Sequence, residues 1–246
     1  NAILDNQSAK LSISANDQIG FVSTDIVTNA DGAENVYVAD IDGDGDLDIV
    51  SASIEDDTIA WYENNGAEDP IFNKSVISTS ADGAEDVHVA DMDGDGDLDI
   101  VSASREDDTI AWYENNGAAD PSFTTENIAT SADGAQRVFI ADLDKDGDLD
   151  IVSGSAFDNT IAWYKNDGAA DPTWTATNID TNAEGAHDVY VADMDGDGDL
   201  DIVSASYNDD TIAWYENQIV GDPTFNKAVI TDSADGANDI FLADLD

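Results

Sequence analysis

The chain contains no cysteine, which removes disulfide frameworks, thiol nucleophiles and thiolate metal sites from consideration. It is almost as poor in cations: 7 Lys and Arg stand against 56 Asp and Glu among 246 residues, a formal charge of -49. Such a surface repels nucleic acid and anionic membranes. No apolar stretch approaches the length of a membrane span. The N-terminal NAILDNQSAKLSISA lacks the charged start and long apolar run of a signal peptide, as expected of a processed or excerpted chain. Histidine occurs twice, at His88 and His187, and no nucleophile elbow, phosphate loop or zinc spacing appears.

What is present suffices for a core, since 41% of residues are hydrophobic and the aromatics include five Trp, seven Tyr and seven Phe. A compact body of this charge repels itself, so a cation is expected to belong to the structure. The sensible partners are metal ions, cationic surfaces and neutral molecules such as sugars.

Self-similarity sets the organisation. The phrase around Asp40 returns at Asp91, Asp142, Asp193 and Asp244, each 51 residues after the last. Trp61, Trp112, Trp163 and Trp214 keep that spacing, and the position of Phe21 returns as Phe72, Phe123, Trp174 and Phe225. Within one unit four strands are expected: VYVAD (36–40), LDIVSAS (47–53), TIAWYEN (58–64) and FNKSVIST (72–79). Their connectors, 55–58, 64–70 and 80–86, hold the Gly, Asn, Asp or Pro that turns need. TIAWYEN carries apolar groups on both faces, which suits a sheet stacked between neighbouring sheets.

The expected fold is therefore all-β, a β-propeller of four-stranded blades with one 51-residue repeat per blade; a linear stack is the rival geometry. Complete blades run over 35–79, 86–130, 137–181 and 188–232, with partial blade strands at 21–28 and 239–246 and a divergent segment at 1–20. Two arrangements remain open, a five-sector ring in which residues 8–14 and 21–28 join 239–244, and an excerpt of a longer propeller.

The chemistry lies in D-x-D-G-D-G-D-L-D. It is present as Asp40, Asp42, Asp44, Asp46 and Asp48; as Asp91, Asp93, Asp95, Asp97 and Asp99; and as Asp193, Asp195, Asp197, Asp199 and Asp201. A further copy, Asp142, Asp144, Asp146, Asp148 and Asp150, has Lys145 where the others have Gly; a truncated copy, Asp244 and Asp246, cannot bind alone. Carboxylates at positions 1, 3, 5 and 9 with a backbone carbonyl from position 7 supply the six to eight hard oxygens that calcium takes, and a Gly at position 6 allows the sharp turn. Two carboxylates about 4 Å apart repel by roughly 4 kcal/mol at an effective dielectric of 20, so the loops should need their ion to close. An EF-hand is excluded, because position 12 is Ser51, Ser102, Ser153 and Ser204 and a strand follows instead of a helix. About one Ca²⁺ per complete loop is expected.

VADMDGDGDLDIV (89–101) and its copies, each followed by TIAWYEN or a near copy, resemble the FG-GAP and VCBS-type repeats. These are calcium-loop propellers related to the integrin α-subunit head and to some fungal and bacterial lectins. The resemblance covers residues 21–246. It implies a loop between the first and second strands of each blade, a secreted or cell-surface location, and adhesion, carbohydrate recognition or service beside a catalytic domain.

Other residues are weighed against plainer roles. Trp61 and its copies fall at a fixed strand position and are expected to pack between blades rather than stack on sugars. His88 takes the place of Tyr37, Phe139, Tyr190 and Phe241 and should be a packed strand residue, while His187 lies in a loop. Asp56, Asp57 and their copies read as a polar turn, with a second, weaker cation site as the alternative. The connector after the second strand varies most, and Ile54, Arg105, Phe157 and Tyr207 are its candidate ligand-binding residues. The expected function is a non-catalytic, calcium-stabilised extracellular binding or adhesion module with a glycan as candidate ligand. Its rivals are a matrix or filament protein assembled through incomplete terminal blades, and an accessory domain of a secreted enzyme.

Overall fold

The computed structural model describes residues 25–218 and 223–244. Among these residues four antiparallel sheets follow one another along the chain, each of four strands in sequence order. The first blade is β1 (Ala33–Ala39), β2 (Asp48–Ser53), β3 (Thr58–Asn64) and β4 (Phe72–Ser78). The second is β5 (Ala84–Ala90), β6 (Asp99–Ser104), β7 (Thr109–Asn115) and β8 (Phe123–Ala129). The third is β9 (Ala135–Ala141), β10 (Asp150–Ser155), β11 (Thr160–Asn166) and β12 (Trp174–Asp180). The fourth is β13 (Ala186–Ala192), β14 (Asp201–Ser206), β15 (Thr211–Asn217) and β16 (Phe225–Thr231). No sheet closes on itself, and each repeat builds one propeller-like blade.

The strands fall where their apolar alternation places them, with one systematic difference. The first strand of each blade begins earlier than 36 and its counterparts, so part of the expected turn 80–86 is already strand from Ala84. The turn ends at Gly83, whose φ is +68° and whose N–H is held by Asp57 Oδ1 at 3.1 Å. The ladder then starts at Ala84 opposite Ser104 and passes a bulge before Asp86, and this irregularity hides the strand from a simple alternation. Asp57 and its copies, sitting at positive φ, thus fasten the link between consecutive blades.

Of the partial strands, 21–24 and 245–246 lie outside the described residues. Residues 25–28 and 239–244 form no strand. A first strand takes its ladder from the second strand of its own blade, and 239–244 has no such partner among the described residues. It nevertheless lies beside the fourth blade as a first strand would. Ile240 N–H donates to Asp188 Oδ2 at 2.8 Å, the bond that Val138 N–H makes to Asp86 Oδ2 at 2.9 Å two repeats earlier.

Among the described residues the core forms three layers between successive blades. In the first, Trp61, Ile59 and Val50 meet Val87, Ile100 and Tyr113; the second and third repeat this one and two units on. Trp61, Trp112 and Trp163 are buried, as expected of packing residues, and each large side chain taken fully from water contributes about 1.5–3 kcal/mol. Position 12 of each loop packs here too, with the Ser102 hydroxyl against the Tyr113 hydroxyl at 3.3 Å. The inner strands align a file of rings in which His88 sits between Tyr37 and Phe139, with centroids 5.3 and 5.5 Å away. Burial pushes the His88 pKa down to about 4, so it is a neutral packed ring.

Candidate functional site

The aspartate loops join the first and second strands of each blade, β1 to β2 and its copies. Their shape comes from side chains bonding backbone within the loop. In the first, Asp40 Oδ2 accepts from Gly45 N–H at 3.0 Å, Asp42 Oδ1 from Asp44 N–H at 3.1 Å and Asp44 Oδ1 from Asp46 N–H at 2.9 Å. Gly43 and Gly45 adopt φ of 72° and 98°, a region that only glycine enters freely. These bonds leave a second oxygen on each carboxylate, and Asp40 Oδ1 is buried without a hydrogen-bond partner.

Ligand oxygens from Asp40, Asp42 and Asp48 lie within 4.8 Å of one another, as do those of Asp91, Asp93 and Asp95, of Asp142, Asp144 and Asp146, and of Asp193, Asp195 and Asp197. Burial, followed by neighbouring carboxylates, raises the pKa of Asp42 and of Asp93. Converging hard oxygens that resist ionisation together, one of them orphaned in a buried place, fit a divalent cation.

Position 7, and position 9 outside the first loop, stand apart from these groups. The side chains of Asp46, Asp97 and Asp148 lie against Gly66, Gly117 and Gly168, where no Cβ would fit. The position-9 carboxylates are buried struts. Asp48 Oδ1 accepts from Asn64 N–H at 2.7 Å, and its Oδ2 from Ile41 N–H at 3.2 Å and the Trp61 indole N–H at 3.0 Å. Burial, working against the Asn115 and Asn166 N–H donors, pushes Asp99 up to about 7 and Asp150 to about 6. Asp244 lines a cleft with Asp193 and Met194, and Asp246 lies outside the described residues.

Two features of the loops escape a reading of one repeat at a time. Asn115, the last residue of β7, donates through Nδ2 to Leu98 O at 3.0 Å in its own loop and to Ile41 O at 3.1 Å in the loop of the preceding blade. Asn166 and Asn217 do the same one and two repeats later. Successive loops are therefore tied together. The second feature is the residue just before that Asn, Glu63, Glu114, Lys165 or Glu216. The pKa of Glu114 is raised by burial first and then by charges that include Asp93, Asp171 and Asp95, and Lys165 contacts Asp144 and Asp146 of the third loop.

The candidate ligand residues converge in part. Arg105, Phe157 and Tyr207 line a cleft of about 240 Å³ together with Gln136, His187 and Asn208. The Arg105 guanidinium lies 5.0 Å from the Phe157 ring centroid and 3.5 Å from Glu85. His187 faces Tyr207 at 6.2 Å, and burial lowers its pKa. Phe157 and Tyr207 are 54% and 52% exposed. Ile54 stands apart, against Gly32 on the first blade. His187, expected in a loop, instead lies in β13, because the first strand of each blade starts early, and the connectors of the preceding blade and of its own blade bring Phe157 and Tyr207 to it.

The chain belongs to the FG-GAP-like repeat family, which matches residues 2–51, 44–102, 91–153, 146–204 and 193–246. The first match begins at residue 2, so it includes all but the first residue of the segment 1–20 that looks divergent when set against the other units. Among proteins of curated function no sequence matches the chain. Solved structures similar to this chain include the following three. An Agrocybe aegerita lectin, described for specific recognition of non-reducing terminal N-acetylglucosamine, aligns at 23% identity and TM-score 0.53 over 80% of this chain and 52% of that one. The periplasmic gluconolactonase PpgL of Pseudomonas aeruginosa aligns at 13% and 0.52 over 82% and 55%. The V. cholerae biofilm matrix protein Bap1 aligns at 21% and 0.49 over 78% and 28%. The chain thus spans about half the length of the lectin and the gluconolactonase, and at these identities the likeness is one of fold.

Proposed function

We propose that the chain is a calcium-stabilised, non-catalytic binding module of a secreted or cell-surface protein and that its ligand is a neutral glycan. The observation that carries the ligand is the cleft between connectors, where two aromatic rings, each about half exposed, stand beside an arginine and a histidine. Exposed aromatic faces suit the apolar faces of sugars, and a few convergent polar groups fix orientation. The charge of -49 disfavours anionic ligands, and the fold shared with a glycan-binding lectin supports the reading. In the loops, the carboxylates at positions 1, 3 and 5, with Asp48 in the first, would hold calcium, which supplies the positive charge that lets them converge. The position-7 side chains brace the loop from outside.

The test is a panel of neutral glycans titrated into the calcium-loaded protein. Binding that Phe157→Ala and Tyr207→Ala each weaken at least tenfold, at unchanged melting temperature, supports the reading. A panel without binding, or variants that bind as the parent does, refutes it. A second reading, self-association, is favoured by one observation: Val36 and Val38 are 60% and 53% exposed, whereas their counterparts Val87 and Val89 are buried. Sedimentation that stays monomeric at high concentration would exclude it.

A further inference from the structure

The third loop departs from its three counterparts in a consistent direction. Lys165 occupies the β11 position held elsewhere by Glu63, Glu114 and Glu216, and Lys145 replaces a glycine within the loop. Together the two exchanges make these surroundings three charges less negative than at the other loops. The Lys165 ammonium bonds Asp144 and lies 3.1 Å from Asp146, so it engages two of the three grouped carboxylates. Lys145 turns the other way and pairs with Asp199 of the fourth loop. That residue is at position 7, and Asp193, Asp195 and Asp197 are the grouped carboxylates there.

The third loop nonetheless keeps the internal bonding of the others. Gly147 N–H donates to Asp142 Oδ2 at 3.1 Å, Asp146 N–H to Asp144 Oδ1 at 3.2 Å and Asp148 N–H to Asp146 Oδ1 at 3.1 Å. From the ion pairs, the exchanges and the retained shape we infer that the third loop is closed by the chain's own Lys165 ammonium, and that calcium is bound by the other three complete loops. The inference rests on the calcium reading above. A tethered ammonium meets the carboxylates at high effective concentration, and a dication entering the loop must displace it and then repel it at close range. Blade three therefore keeps its loop when calcium is low, while its neighbours lose theirs.

Isothermal titration of the decalcified full chain counts the ions. Asp93→Asn should lower the number bound by one, and Asp144→Asn, its equivalent in the third loop, should leave the number unchanged. The double variant Lys145→Gly/Lys165→Glu recreates the sequence pattern of the other loops and should bind one ion more than the parent, with circular dichroism confirming its fold. An ion lost on Asp144→Asn, or none gained by a folded double variant, overturns the inference. A parent chain that binds no calcium overturns the calcium reading itself, a different result. Amide exchange in chelator supplies a second measurement: Asp146 and Gly147 should stay more protected than Asp95 and Gly96, and equal loss at both loops would contradict the lysine closure.

Discussion

Replacing Asp86 by Asn should make the protein more stable at neutral pH and flatten its response to pH. Asp86 is 1% exposed at the inner edge of the second blade. Its pKa is raised from 3.8 to about 7, chiefly by burial; the Val138 N–H and the Arg137 charge oppose the rise, and Asp188 adds to it. Unfolded, the carboxyl ionises near its ordinary value. Between about pH 4 and pH 7 the folded chain therefore holds a proton that the unfolded chain has released, and stability falls across that window before levelling above it. The gap from 3.8 to about 7 corresponds to a ceiling on the order of 4 kcal/mol at about 1.36 kcal/mol per tenfold change in acidity.

Asn keeps an oxygen for the Val138 N–H, which Asp86 Oδ2 accepts at 2.9 Å, and it carries no charge to bury. Asn35 already stands at this position in the first repeat. Asp86→Asn and the parent should melt together near pH 4 and diverge as pH rises to 8, the variant gaining roughly 2–4 °C for each kcal/mol. Thermal melts of both proteins at each pH give the difference directly, and contributions from the calcium loops cancel in it. A difference that is independent of pH, or a variant that loses stability as pH rises, would refute the reasoning.

Asn115→Ala removes the donor shared by Leu98 O and Ile41 O and leaves both carbonyls short of a partner. It should cost about 1–3 kcal/mol and raise amide exchange in both loops, whereas a purely local role would affect the second blade alone. Gly117→Ala places a Cβ against the Asp97 carboxylate at a φ of +63°. It should lower stability by at least about 1 kcal/mol and weaken calcium binding by one loop, as read by titration.

Much of the architecture was legible because the repeat never slips. Fixed spacing of Trp61 and its copies exposed the blade, and a short run rich in β-branched and aromatic residues between turn-forming clusters placed TIAWYEN at the residues where β3 is found. The aspartate ladder identified its own loop, since few other functions need so many hard oxygens at alternate positions. What stayed hidden depends on contacts between repeats. The Asn115 bond to Ile41 O spans 74 residues, and no local pattern announces it. The bulge before Asp86 concealed the early start of each first strand. Lys165 gains its meaning only from the fold, which sets it against the loop carboxylates Asp144 and Asp146. Arg105, Phe157 and Tyr207 come from three successive blades, so their convergence on His187 is a property of blade stacking.

Calcium titration of the decalcified chain, with melting followed before and after, bears most directly on the account. Each loop that binds only the folded form adds about 2.7 kcal/mol at a hundredfold excess of ion over its dissociation constant. Chelator should therefore lower the melting temperature by about 5–11 °C for every loop emptied, and readdition of calcium should restore it with measurable heat. A melting temperature indifferent to chelator, in a protein that takes up no calcium, would contradict the account at its base.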